Sequence, residues 1–182
     1  MNLSRDDSKQ KVFMDLYGPC HDSFSRYCRG ITSNPDDARD LAAEAILVVF
    51  ENLSRLRKRD SFKSYLFGVA RRLRLNQHRK KRFQGEYKEG EALLLLSNEA
   101  PPDIHPDVEL LYNYLDRLPP NQKDTFLLFE VSGFSLKEIQ QLQGGTISGV
   151  KSRLKRAREQ LRLWLNDEDE RRLKAERTKD EE

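Results

Sequence analysis

Apolar residues in this 182-residue chain return every third or fourth position, in one stretch after another, and nowhere alternate with polar ones. A repeat near 3.6 belongs to a helix with one buried face, whereas a half-buried strand needs a repeat of two. Val150, Leu154, Ala157, Leu161 and Leu165 make the clearest row, at steps of four, three, four and four. Val108, Leu111, Tyr112, Leu115 and Leu118 make a second, and Leu66, Val69, Ala70 and Leu73 a third. The chain is therefore expected to be all-α. Only 37% of it is hydrophobic against 35% charged, which favours small helical units over one large core. Residues 83–106 break the rhythm with Gly85, Gly90, Pro101, Pro102 and Pro106 among dense acids, the composition of a linker. The expected organisation is two small helical domains, 9–82 and 107–165, joined by the acidic linker 83–106 and followed by a charged tail, 166–182.

Single residues mark where helices start and stop. Gly18-Pro19 interrupts a first helix of about Lys9 to Arg29, because proline removes a donor from the helical ladder. Asn34 suits an N-cap, Pro35 the first helical position, and Asp36 and Asp37 the first turn of a second helix running to about Leu53. Its AILVVF stretch is apolar all round and calls for burial on most sides. A basic loop, RLRKRD, precedes a third long helix through SFKSYLFGVARRLRLNQHRKKR, with Ser61 at its start. Further on, a helix through KDTFLLFEV stops at Gly133. Ser135 and Glu138 then have the spacing of a capping box, with Phe134 and Ile139 as its hydrophobic staple. Gly144 ends that short helix and Thr146 caps the next. Helix, glycine-containing turn, helix is a helix-turn-helix, and the basic helix stands second, in the recognition position.

The formal net charge is only +3, but it is unevenly spread. Residues 71–82 carry seven basic side chains and no acid, and residues 83–109 carry seven acids against Lys88 alone. Around the last apolar row, Lys151, Arg153, Lys155, Arg156, Arg158 and Arg162 face a single acid, Glu159. A solvated helix usually alternates its charges, and this imbalance suits contact with phosphates. Other function classes find little support. Cys20 and Cys28, on one helix, would stand about 12 Å apart, beyond the roughly 7 Å limit for a disulfide, so reduced thiols of a cytoplasmic protein are expected. His21, His78 and His105 have no metal-ligand spacing to the cysteines, and no nucleophile–base set or phosphate loop appears. The chain is thus expected to be no enzyme, with no catalytic residues, no metal and no cofactor. No apolar run approaches the ~18 residues of a membrane span, and the polar N-terminus is unlike a signal peptide.

Four blocks, in order and in register, resemble the extracytoplasmic-function (ECF) group of the sigma-70 family of RNA polymerase sigma factors. They are NPDDARDLAAEAILVVFENL, SFKSYLFGVARRLRLNQHRKKR, LDRLPPNQKDTFLLFEVSGFSLKEIQQLQG and VKSRLKRAREQL, and they span most of residues 10–165. The resemblance implies a protein that binds core RNA polymerase (beta-prime and beta subunits), recognises and melts promoter DNA, and starts transcription. It implies that Asp40, Leu41 and Glu44 dock on the polymerase clamp. It also implies that Arg59, Tyr65, Arg71, Arg72, Arg74, Arg79 and Lys80 hold the minus-ten element as single strand, with Phe62 and Phe67 as further stacking candidates. Thr146, Ile147, Ser148, Lys151, Ser152, Lys155 and Arg158 would then meet the minus-thirty-five duplex. An anti-sigma factor or an accessory recruiting protein completes the partners this resemblance implies.

The chain departs from the family pattern in three places. Ala43 stands where glutamine is common, Arg72 where asparagine is common, and Gly149 where the family has a hydroxyl. With Gly145 loosening the turn and lysines rather than forked arginines at 151 and 155, weak duplex reading is expected. The alternatives are a helix-turn-helix regulator acting without polymerase, a diverged sigma factor led to DNA by another protein, and an adaptor whose charged helices bind proteins or a membrane surface.

Overall fold

The computed structural model describes the backbone of residues 3–56, 58–83 and 106–179, and these group as two compact units within 1–102 and 103–182. The acidic linker expected over 83–106 lies, its two end residues apart, outside the described residues.

In the first unit α1 (Leu3–Tyr17) passes through a 3-10 turn at Gly18–Cys20 into α2 (His21–Ile31), followed by α3 (Pro35–Glu51) and α4 (Phe62–Phe83). Pro19 makes the break between α1 and α2, since the helical ladder loses a donor there. Asn34 caps α3 as its sequence suggests, its Oδ1 accepting from Asp37 N at 2.7 Å. That helix closes at Glu51, and Leu53 opens a separate 3-10 turn. Leu41, Ala45 and Val49 carry α3 into the core, where Phe24, Tyr27, Leu66 and Phe67 have no exposed surface. Phe67 meets Phe24 edge-on at 5.2 Å and Tyr27 at 5.0 Å, and Phe62 meets Phe13 at 5.6 Å. Cys20 and Cys28 are free and buried, and burial pushes both thiols up from the ordinary cysteine range.

In the second unit α5 (Pro106–Arg117) leads to α6 (Pro120–Phe126), which runs on into a π-helical turn at Leu127–Val131. Then come α7 (Leu136–Gln143) and α8 (Ile147–Lys179). Leu115, Leu127, Leu128, Ile139, Val150 and Ala157 fill the core. Two rows differ from their sequence reading. Val108 is 42% exposed and Tyr114 takes the inward place on α5; Leu165 is 37% exposed and Trp164 turns inward on α8. Trp164 stacks on Tyr114 at 6.0 Å, so past Leu161 the row steps by three, as a 3.6-residue repeat must at intervals. The last helix runs on into the segment expected from 166 as a charged tail, as far as Lys179.

Candidate polymerase and nucleic-acid surfaces

On α3, Asp40 and Glu44 are exposed while Leu41, Ala42, Ala43 and Ala45 are buried. Positions four apart lie on one face, so the two carboxylates form a row on the solvent side of a helix whose opposite face is sunk in the core. Asp36 extends the row by another turn and pairs with Arg39 at 3.3 Å. Gln77 Nε2 on α4 stands 3.5 Å from the Glu44 carboxylate. Leu41, expected as a polymerase contact, has no exposed surface. It is an apolar anchor of α3 and presents nothing to a partner.

Around α4 the expected DNA-binding residues separate. Arg59 is exposed in the 3-10 turn Arg59–Ser61, Arg72 is exposed, and Arg71 and Tyr65 are half-buried. Phe62 and Phe67 are core residues, which leaves Tyr65 as the aromatic side chain of the three with surface open to solvent. Arg74 is a second correction. It is 8% exposed, and its Nε donates to the Ile31 carbonyl at the end of α2 at 2.9 Å. A cation at a helix C-terminus meets the negative end of the macrodipole and one of the carbonyls the ladder leaves open, so Arg74 ties α4 to α2. Arg79 and Lys80 lie on α4, and their side chains are outside the described residues.

In the second unit local chemistry builds the helix-turn-helix. Ser135 N donates to the Glu138 carboxylate at 2.8 Å and Glu138 N to Ser135 Oγ at 3.3 Å, the reciprocal capping box. Gly133, with φ 67°, follows the π turn, and Gly144 and Gly145, with φ 78° and 83°, turn the chain from α7 into α8. Thr146 Oγ1 accepts from Gly149 N at 3.1 Å and so caps α8. Beyond the cap, Ile147, Ser148, Lys151, Ser152 and Lys155 are all exposed; Ser148, Ser152 and Lys155 lie on the side away from Val150, Leu154 and Ala157, Lys151 on the flank, and Ile147 at the open end of the core row. Lys155 approaches Glu159 at 3.7 Å, an exposed pair of little strength. Arg158 differs from these. Its Nε donates to Glu130 at 2.6 Å and its guanidinium lies 5.2 Å from the Phe129 ring, so its charge is already engaged on the flank of α8.

Sequence reading passed over a polar cluster behind this surface: Asp124 and Thr125 on α6, Gln143 at the end of α7, and Arg153 on α8. No spacing rule could find it, because its members come from three helices. Among the described residues, no helix is long and apolar enough to cross a membrane, and no three metal-type ligands come together.

One unit thus carries an acidic row beside a basic helix, and the other a capped helix-turn-helix. Residues 16–84 match the family "Sigma-70 region 2" and residues 109–161 match "Sigma-70, region 4", more than half of the chain between them. The ECF RNA polymerase sigma factor EcfG of Rhodopseudomonas palustris is 28% identical over 143 residues, covering 79% of each chain. SigV of Bacillus subtilis, an RNA polymerase sigma factor, is 28% identical over 146 residues, 80% of this chain and 86% of that protein. The fold is shared with the sigma factor RpoE of Bartonella quintana, solved in complex with the anti-sigma factor NepR: TM-score 0.68, 22% identity, 88% of this chain and 97% of that one. The chain belongs to the sigma-70 family, as an ECF sigma factor, a non-enzymatic subunit that directs RNA polymerase to promoters for transcription initiation.

Proposed function

We propose that this sigma factor docks on the beta-prime clamp of core polymerase through Asp40 and Glu44, with further contacts to the beta subunit. Along α4 it holds the melted minus-ten strand with Arg59, Tyr65, Arg71 and Arg72, and the basic residues at 79 and 80 extend the track by sequence. The start of α8 meets the minus-thirty-five duplex through Thr146, Ile147, Ser148, Lys151, Ser152 and Lys155. Extruding a base costs a few kcal/mol. Stacking on Tyr65, at about 1–3 kcal/mol per base, together with the cationic track, offsets that cost. An inhibitory polypeptide of the kind seen with RpoE of Bartonella quintana is a further partner.

The observation that carries this reading is the pair of exposed carboxylates, Asp40 and Glu44, on a helix that buries Leu41, Ala42, Ala43 and Ala45 between and beside them. Exposed acids need no fold-level reason to change sign, so reversing both leaves helical content intact. Asp40→Lys with Glu44→Lys is expected to abolish co-purification with core polymerase at wild-type ellipticity. A double variant that still co-purifies at the wild-type level refutes the docking assignment.

A further inference from the structure

The turn that sets the angle of α8 is Gly144-Gly145-Thr146, with both glycines at positive φ. Two such residues in a row have little stiffness of their own. The chain nevertheless leaves this turn along one defined direction, because side chains brace it. Gln140 Nε2 donates to the Gly145 carbonyl at 3.0 Å. Behind it, Gln143 Nε2 donates to Asp124 Oδ2 at 2.7 Å, and Arg153 Nη2 donates to Gln143 Oε1 at 3.0 Å. Arg153 Nε also donates to Thr125 Oγ1 at 3.2 Å, and that hydroxyl is 2.7 Å from the Asn121 carbonyl. Thr125 is fully buried and Asp124 nearly so.

The order of groups has one solution. A carboxylate can only accept and a guanidinium can only donate, so the amide between them must offer NH₂ to Asp124 and oxygen to Arg153. Opposite charges at the two ends polarise it the same way. The chain of bonds thus joins α6, α7 and α8 at the turn itself. On a helix of 3.6 residues per turn Arg153 points about 160° away from Lys155, toward α6 rather than the outward face. A Cβ at Gly149 would make an ordinary contact with Arg153 Nη1, at 3.6 Å, and a tight one with Thr146 Oγ1, at 3.3 Å.

We propose that the Asp124–Gln143–Arg153 relay is the positioning device of the reading helix, and that Arg153 acts on DNA only through the angle of α8. Base-edge hydrogen bonds weaken steeply with angle, whereas phosphate contacts tolerate small tilts. The relay therefore governs preference between sequences more than total affinity. Loosening of the turn by Gly145, anticipated from sequence, is countered by this brace. The proposal rests on α8 meeting the minus-thirty-five duplex.

The test uses the full chain on core polymerase, the duplex it enriches from a randomised pool, and a scrambled duplex of the same composition, each titrated over salt. Arg153→Lys keeps the charge and loses the fork. It is expected to cut the preference about tenfold, the worth of one base contact, with scrambled-duplex affinity and salt slope unchanged. Gln143→Glu sets two carboxylates face to face and is expected to lose the preference as well. Adding Asp124→Asn to it restores the relay with reversed polarity, since an amide at 124 donates to a carboxylate at 143 that still accepts from Arg153. The paired variant should recover the preference, which a generally weakened fold would not do. Wild-type preference in Arg153→Lys, or no recovery in the paired variant, overturns the proposal. So does a salt slope flattened by about 0.9 in Arg153→Gln, the mark of a direct phosphate contact. A wild-type holoenzyme that enriches no duplex removes the reading role from α8 itself, a different failure from these.

Discussion

Arg74 and Arg72 stand two positions apart in one basic block, and their substitution should have opposite consequences. Arg74→Ala removes a charged donor from the Ile31 carbonyl, leaves that acceptor without it, and strips the packed stem of a residue only 8% exposed. Charged hydrogen bonds of this kind are worth about 1.5–3 kcal/mol, so a loss of about 2 kcal/mol is expected. For a unit of this size each kcal/mol lowers the melting temperature by about 4–8 °C, which gives a drop of about 10 °C. The chain's single tryptophan, Trp164, lies in the second unit. Its fluorescence should therefore melt at the wild-type temperature while ellipticity acquires an early phase from the first unit. Arg72→Ala, at an exposed position, should change stability by no more than about 0.5 kcal/mol. It should instead flatten the log-affinity against log-salt slope for single-stranded DNA by about 0.7. An Arg74→Ala protein that melts like wild type and loses salt slope would refute the structural role given to Arg74.

Ser135→Ala breaks both arms of the capping box and should cost about 1 kcal/mol, read as a lower Trp164 fluorescence midpoint; Glu138→Ala added to it should cost little more, since the two act as one cap. Gly149→Ala should raise that midpoint, because helix propensity gains up to about 1 kcal/mol and the exposed Thr146 hydroxyl, 3.3 Å from the new Cβ, can yield; a lower midpoint would mean that the glycine protects the cap. Cys28 is buried and its thiol pKa is raised, so the unfolded thiol ionises first. The stability this confers is whole below the unfolded pKa of about 8.5 and declines as pH rises above it. Denaturant midpoints between about pH 8 and 9.5 should fall, more gently in Cys28→Ala than in wild type, and equal slopes would exclude the thiol as a cause.

Caps and breaks were legible because they are local. Asn34 with Asp37, and Ser135 with Glu138, are pairs three positions apart, and Gly144 acts through its own backbone. The phase of an apolar row was less secure. One step of three in place of four exchanges Leu165 for Trp164, and the choice depends on Tyr114, which waits on another helix. Charge was least legible. Arg72 and Arg74 are alike in sequence, and only the end of α2, 43 residues before Arg74, decides that one is a surface cation and the other a helix tie. Leu41 differs again: it stands in the same family motif as the exposed Asp40 and Glu44, and only the packing of α3 shows that it is a buried anchor.

Helix α8 runs unbroken from Ile147 to Lys179, and the body of the second unit holds it from Val150 to Glu168, whose carboxylate accepts from the Tyr114 hydroxyl at 3.3 Å. Mechanically it is a lever with its fulcrum near one end. The short arm is the capped turn at Thr146, and the long arm beyond Glu168 reaches about 16 Å at 1.5 Å per residue. A tilt of about 5° at the fulcrum swings the far tip by about 1.4 Å. A spectroscopic label near the end of that arm would magnify rotations too small to follow at the turn itself.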